Sequence, residues 1–182
     1  FLQFSGSFSS ATAQQLEQSS EIETDDLSNS IDATTHSALK FNPVRTDSPR
    51  RTLDSFVRLT LLLESELQAY KSEQNRANYE RVQLLIPRFL QLLDLSAVPK
   101  ANQRDVGLET TVYLLEILGR IELPPMEAVP DDAAFEDDKP ARWRIPGTPI
   151  RITRVVDGPR EGEFLFSGRT VGVAPWFYQH IE

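Results

Sequence analysis

The chain has 182 residues, 40% of them hydrophobic, with a net charge of −8 and no cysteine. This is enough apolar material for one ordinary domain plus a tail. It excludes disulfides, thiolate metal sites and cysteine nucleophiles, and the negative balance argues against nucleic acid and against docking on an anionic membrane through a basic patch.

No apolar run approaches the roughly 20 residues that a membrane helix needs, because Glu64 interrupts the longest, around Leu59–Leu63. The first 46 residues are polar, rich in Ser, Thr, Gln and acids, with no sustained period. Such a segment cannot bury enough apolar surface to offset its ordering entropy. The expectation is a disordered polar tail over 1–46 and a single α+β domain over 47–182. Ala11-Thr12-Ala13 has the form of a signal-peptidase site, with Phe1-Leu2-Gln3-Phe4 as the end of an apolar region. The alternative is a chance triplet in an Ala/Ser/Thr-rich tail. With no initiating Met, the sequence reads as a fragment or a processed product. His36 lies in the tail with no partner to name.

Ser48-Pro49 marks a helix start, Ser as N-cap and Pro in the first turn. Leu53, Phe56, Val57, Leu63, Leu67 and Tyr70 then fall on one face, widened by Leu59, Leu61 and Leu62, and the helix should end near Ser72 to Asn75. A second helix is expected from about Asn78, with Tyr79, Val82, Ile86, Phe89 and Leu93 in register and Pro87 kinking or dividing it. A third should cover about Arg104 to Leu118, burying Leu108, Val112, Leu115 and Leu118 before Gly119 and Pro124-Pro125 close it.

Met126 to Lys139 is an acidic loop containing Asp131, Asp132, Glu136, Asp137 and Asp138. It lacks the alternating ligands and the glycine of a calcium loop, so it reads as a solvated charge run. Trp143 to Gly147 reads as a short strand entering a turn, with Trp143 in the core. Ile150 to Val156 and Glu163 to Ser167, separated by the Asp157–Gly162 turn cluster, form a hairpin. Val171, Val173, Trp176, Phe177 and Ile181 suit a short terminal helix capped by Ser167, which Pro175 should break or restart. The expected architecture is a three-helix unit, a small antiparallel hairpin or sheet and a short C-terminal helix.

Ser167, His180 and Asp157 are the residue types of a hydrolytic triad, but no Gly-x-Ser-x-Gly elbow surrounds Ser167, and a Ser before a helix is usually a cap. Two distant histidines make a poor metal site, and no glycine-rich phosphate loop is present. No catalytic residue, cofactor or metal ligand is assigned. Arg142, Arg144, Arg151 and Arg154 form a basic stripe expected to pair with the chain's own carboxylates. The candidate interaction residues are Trp143, Trp176, Phe177 and Tyr178, the last three near a membrane interface.

Four passages in order resemble the extramembrane N-terminal region of bacterial small-conductance-type mechanosensitive ion channels. Ser48-Pro49-Arg50-Arg51-Thr52-Leu53-Asp54-Ser55-Phe56 is similar to that family's "(Thr/Ser)-Pro-Arg-x-Thr-(Val/Leu)-x-x-Phe" opening. Tyr79-Glu80-Arg81 with Leu92-Leu93-Asp94-Leu95 resembles its second helix, and Leu108 to Leu118 with Ile121 and Pro130-Asp131 its third. Phe166-Ser167-Gly168-Arg169-Thr170-Val171, running on to Pro175 and Tyr178, resembles the passage before the first membrane helix. Departures are Asn78 in place of a Gly-Asp pair, a longer insertion around Tyr70 to Arg76, and Glu122-Leu123-Pro124-Pro125 after the third helix.

The resemblance implies a periplasmic, non-catalytic scaffold ahead of the membrane helices of a tension-gated, homo-oligomeric channel, modulating gating or assembly. Two other readings compete with it: a soluble periplasmic binding module of the cone-shaped nuclear-transport-factor-like type, and a hydrolase built on Ser167 and His180.

Overall fold

The computed structural model describes residues 43–135 and 141–181. The expectations for the tail up to residue 42, including the Ala11–Ala13 triplet and His36, and for Glu136, Asp137 and Asp138 lie outside them. A compact α+β unit begins at Val44, ahead of the expected boundary at 47, because the Val44–Asp47 backbone is tied to the core. The Arg45 N–H donates to the Ser55 hydroxyl at 3.0 Å, and the Thr46 carbonyl accepts from Phe164 N at 2.6 Å.

Helix α1 spans Pro49–Ser72. The Ser48 hydroxyl accepts the Arg51 N–H at 3.2 Å, and Pro49 occupies the first turn, where its missing N–H costs nothing. The buried line runs through Thr52, Leu53, Phe56, Leu59 and Leu62 to Glu66. The expected stripe through Leu63, Leu67 and Tyr70 is turned away from the core: Leu67 is exposed, and Leu63 and Tyr70 are half-buried. The next helix packs on this end of α1, and its Arg81 meets the buried Glu66 carboxylate at 3.3 Å. A charged residue therefore holds a place that apolar periodicity assigns elsewhere.

Where one helix was expected, two form: α2 (Arg76–Gln83) and α3 (Ile86–Leu90). The Asn75 side chain caps α2, accepting from Asn78 N at 2.8 Å. Pro87 divides the pair by standing in the first turn of α3. Leu85, Phe89, Leu92 and Leu93 enter the core, while Tyr79 stays half exposed, its ring 6.1 Å from that of Tyr70.

Helix α4 covers Gln103–Arg120 and buries Gly107, Thr110, Thr111, Leu114, Ile117 and Leu118. The expected face was rotated: Val112 points outward, and Leu108 and Leu115 are half-buried. Small residues mark the true face because α4 lies close over Leu90 and Leu95. A Cβ on Gly107 would collide with Leu90 Cδ2 and stand 3.1 Å from Leu95 Cδ1. Gly107→Val is therefore expected to destabilise by about 1–3 kcal/mol despite the better helix propensity of valine. Urea denaturation checks this, and an unchanged midpoint would mean that α4 stands further off.

The sheet contains β1 (Arg142–Arg144), β2 (Arg151–Arg154) and β3 (Phe164–Phe166), antiparallel in the order β1-β2-β3. Gly147, at φ 72°, makes the β1–β2 turn; Gly158 and Gly162, both at 87°, shape the β2–β3 loop. The outer edge of β3 is closed by other segments. Phe166 N donates to Leu92 O and Asp94 N to Phe166 O, both at 2.9 Å, making a parallel bridge at Leu93. Among the described residues the strands run three or four residues, shorter than the long curved sheet of a cone-shaped nuclear-transport-factor-like fold requires.

Helix α5 spans Gly168–His180, with Ser167 accepting from Thr170 N at 3.2 Å. The expected break at Pro175 does not occur, and the helix runs through it. Proline removes one backbone donor, and burial of Thr170, Val171 and Ala174 in the packing of α5 on α4 offsets that loss. The core gathers round Phe56, whose ring meets those of Phe89 and Phe166 edge-on at 5.4 and 5.3 Å.

Candidate functional site

The triad residue types are not brought together. Ser167 and His180 stand at opposite ends of α5, about 20 Å apart at ~1.5 Å per residue, and Asp157 is exposed in the β2–β3 loop. Ser167 is committed to the helix cap and lies 3.1 Å from the Thr170 hydroxyl. The His180 ring stacks on Trp176 with centroids 4.5 Å apart, and its Nδ1 lies 2.7 Å from the Trp176 carbonyl.

The aromatic candidates separate into different surroundings. Trp143 is half-buried opposite Ile152 on the sheet, not enclosed in the core as expected, since β1 is the edge strand of the sheet among the described residues. Trp176 is 56% exposed. Phe177 and Tyr178 are half-buried; Tyr178 lies 5.3 Å from the Tyr113 ring, with the Arg120 guanidinium 5.0 Å above its face. The Tyr113 hydroxyl donates to Glu109 at 2.9 Å, and this bond raises its pKa first of all, followed by burial. Of the three aromatics at the chain end, Trp176 presents the exposed ring.

A further knot lies at the start of α1. Arg50 N donates to Pro130 O at 3.1 Å, its Nε to Val129 O at 2.9 Å, and its Nη1 to Asp131 at 3.2 Å. The acidic loop thus sends Asp131 to an arginine, and no group of three or more potential metal ligands occurs among the described residues. Two positions on, the fully buried Thr52 hydroxyl sits 3.0 Å from Ser48 O and 2.5 Å from Phe164 O. The motif Ser48–Thr52 therefore ties α1 to both the loop before β1 and the edge of β3.

A groove of about 920 Å³ opens between the α3–α4 connection and the β2–β3 loop. Leu90, Leu95, Val155 and Leu165 line it, with Lys100 and Arg104 among the polar side chains. Arg160 closes one side by bonding Gln91 O and Glu163. The sequence hid this groove because its walls come from widely separated stretches. The hydrogen bond from Arg160, followed by that from Thr46, holds the Glu163 carboxyl below the usual carboxylate range against the opposing effect of burial. A depressed carboxylate contributes stability above its unfolded pKa and loses it as pH falls through the folded value. Glu163→Gln should therefore flatten the acid limb of a stability–pH curve below about pH 4; an unaltered limb would mean that Glu163 carries no such linkage.

The basic stripe divides between the two faces of the sheet. The Arg154 guanidinium lies 5.1 Å over the Phe164 ring. Arg142, Arg144 and Arg151 share the other face, and among the described residues none of the three makes the expected ion pair. Arg144 stands directly across from Arg151.

No family model matches the chain, and neither a curated protein nor a solved structure matches it. No described helix is long and apolar enough to cross a membrane.

Proposed function

We propose that the unit from Val44 onward is the periplasmic, non-catalytic scaffold domain of a tension-gated ion channel of the small-conductance mechanosensitive type. It packs beside the membrane portion of a homo-oligomer and biases the closed-to-open equilibrium. The observation that carries this reading is how the four passages behind the resemblance meet. Arg50 and Thr52 of the first reach Pro130-Asp131 of the third and Phe164, beside the fourth. Leu92–Asp94 of the second pairs with Phe166 of the fourth. These bonds join stretches of all but the Leu108–Leu118 part of the resemblance around the edge of the sheet.

Such a domain acts mechanically, through a stiff body and an exposed contact. The aromatic cluster round Phe56 supplies stiffness, and the outward Trp176 is suited to a membrane-interface contact. A differential contact worth ~1–3 kcal/mol between closed and open states is enough to move gating noticeably. The test is patch clamp of membranes carrying the full-length protein. Stepwise currents evoked by suction are expected, and their absence in patches where the protein is present would overturn the reading.

A further inference from the structure

The open edge of the sheet supports a second inference, independent of the channel reading. In β1 the alternate residues turn their backbone groups inward. Ala141 O accepts from Arg154 N at 2.8 Å, Ile145 N donates to Ile150 O at 3.0 Å, and Trp143 faces Ile152 between them. By the antiparallel pattern, the N–H and C=O of Arg142 and Arg144 face away from β2. The edge of β3 is closed by Thr46, Leu92 and Asp94, whereas no strand lies beyond β1 among the described residues.

Charge decides what fits this edge. Arg45, Arg58, Arg76, Arg120 and Arg160 each lie against a carboxylate. Among the described residues, Arg142, Arg144 and Arg151 do not, although they crowd one face and two of them stand directly opposite each other. Like charges in that position destabilise a sheet unless something negative lies between them. A second copy of β1 is excluded as the occupant, since it would set arginine against arginine. An extended strand with carboxylates at every second residue meets the arginines instead, because residues opposite Arg142 and Arg144 project to the arginine face.

We propose that the β1 edge takes an acidic, extended segment of a partner protein as an added strand, its alternate carboxylates neutralising Arg142, Arg144 and Arg151. β1 is only three residues long, so few backbone bonds form and the charges carry recognition. Binding is accordingly salt-sensitive.

The test uses the whole chain and a fluorescent synthetic peptide alternating glutamate with valine or threonine, read by anisotropy. Expected are saturable binding that weakens roughly tenfold or more between low and high salt, and slowed amide exchange at Arg142 and Arg144. Arg144→Glu should weaken binding roughly tenfold or more. Its melting temperature should hold or rise, because the new carboxylate faces Arg151; this separates lost recognition from lost folding. Arg169→Glu, an exposed change on α5, should leave binding unaltered. Equal binding of a peptide with its glutamates clustered, or no effect of Arg144→Glu, would overturn the proposal. Binding of phosphatidylglycerol vesicles in place of the peptide would overturn it too.

Discussion

Phe56→Ala should unfold the whole chain at markedly lower urea, with a loss of about 3–5 kcal/mol. Phe56 is 2% exposed and its ring touches both α3, through Phe89, and β3, through Phe166. Truncation removes the transfer energy of the ring and leaves a cavity that the buried rings of Phe89 and Phe166 beside it fill poorly. It also breaks two edge-to-face contacts, each worth about 0.5–1.5 kcal/mol beyond area. Phe56→Leu keeps much of the volume and should cost roughly half as much. If Phe56→Ala shifted the midpoint no more than an exposed change such as Val112→Ala, α1 would not be the element on which the sheet and α3 assemble.

Thr52→Val is the second large effect, and its cause is polar. The substitution keeps the shape and removes a hydroxyl placed between two carbonyl oxygens at a site with no solvent exposure. Ser48 O retains its backbone bond from Thr52 N at 2.9 Å. Phe164 O faces away from β2 and depends on Thr52, so the variant leaves a buried acceptor unmet at about 1–3 kcal/mol. Thr52→Ser keeps the donor and should retain most of the stability. A Thr52→Val protein as stable as the parent would mean that Phe164 O finds another donor, and the tie between α1 and the sheet would lose its importance.

Local chemistry made several elements readable from sequence. Ser48-Pro49, Ser167 and the glycines of the β2–β3 loop each act through bonds to near neighbours, so their positions followed from the residues themselves. Pro87 divided its helix for the same reason.

Helix faces were less legible. On α1 the buried line includes Glu66 because Arg81 arrives from another helix, and on α4 it includes Gly107, Thr110 and Thr111 because a neighbouring helix approaches closely. Neither partner can be read from the helix's own periodicity. Pro175 failed as a breaker since packing on α4 outweighed one lost bond. Among the candidate aromatic residues, only the fold distinguishes exposed Trp176 from Tyr178, which is held by Tyr113 and Arg120. The groove and the open arginine edge depend on strand register and on contacts across the chain, which composition does not carry.

In the proposed role, a stiff domain outside the membrane biases a tension-driven opening. The most direct test of that role compares, in excised patches, the suction needed to open the full-length protein with that needed when residues 44–182 are removed. Removal should displace the opening threshold by the equivalent of ~1–3 kcal/mol of lost differential contact, with single-channel conductance preserved. Superimposable opening curves for the two proteins would contradict the role.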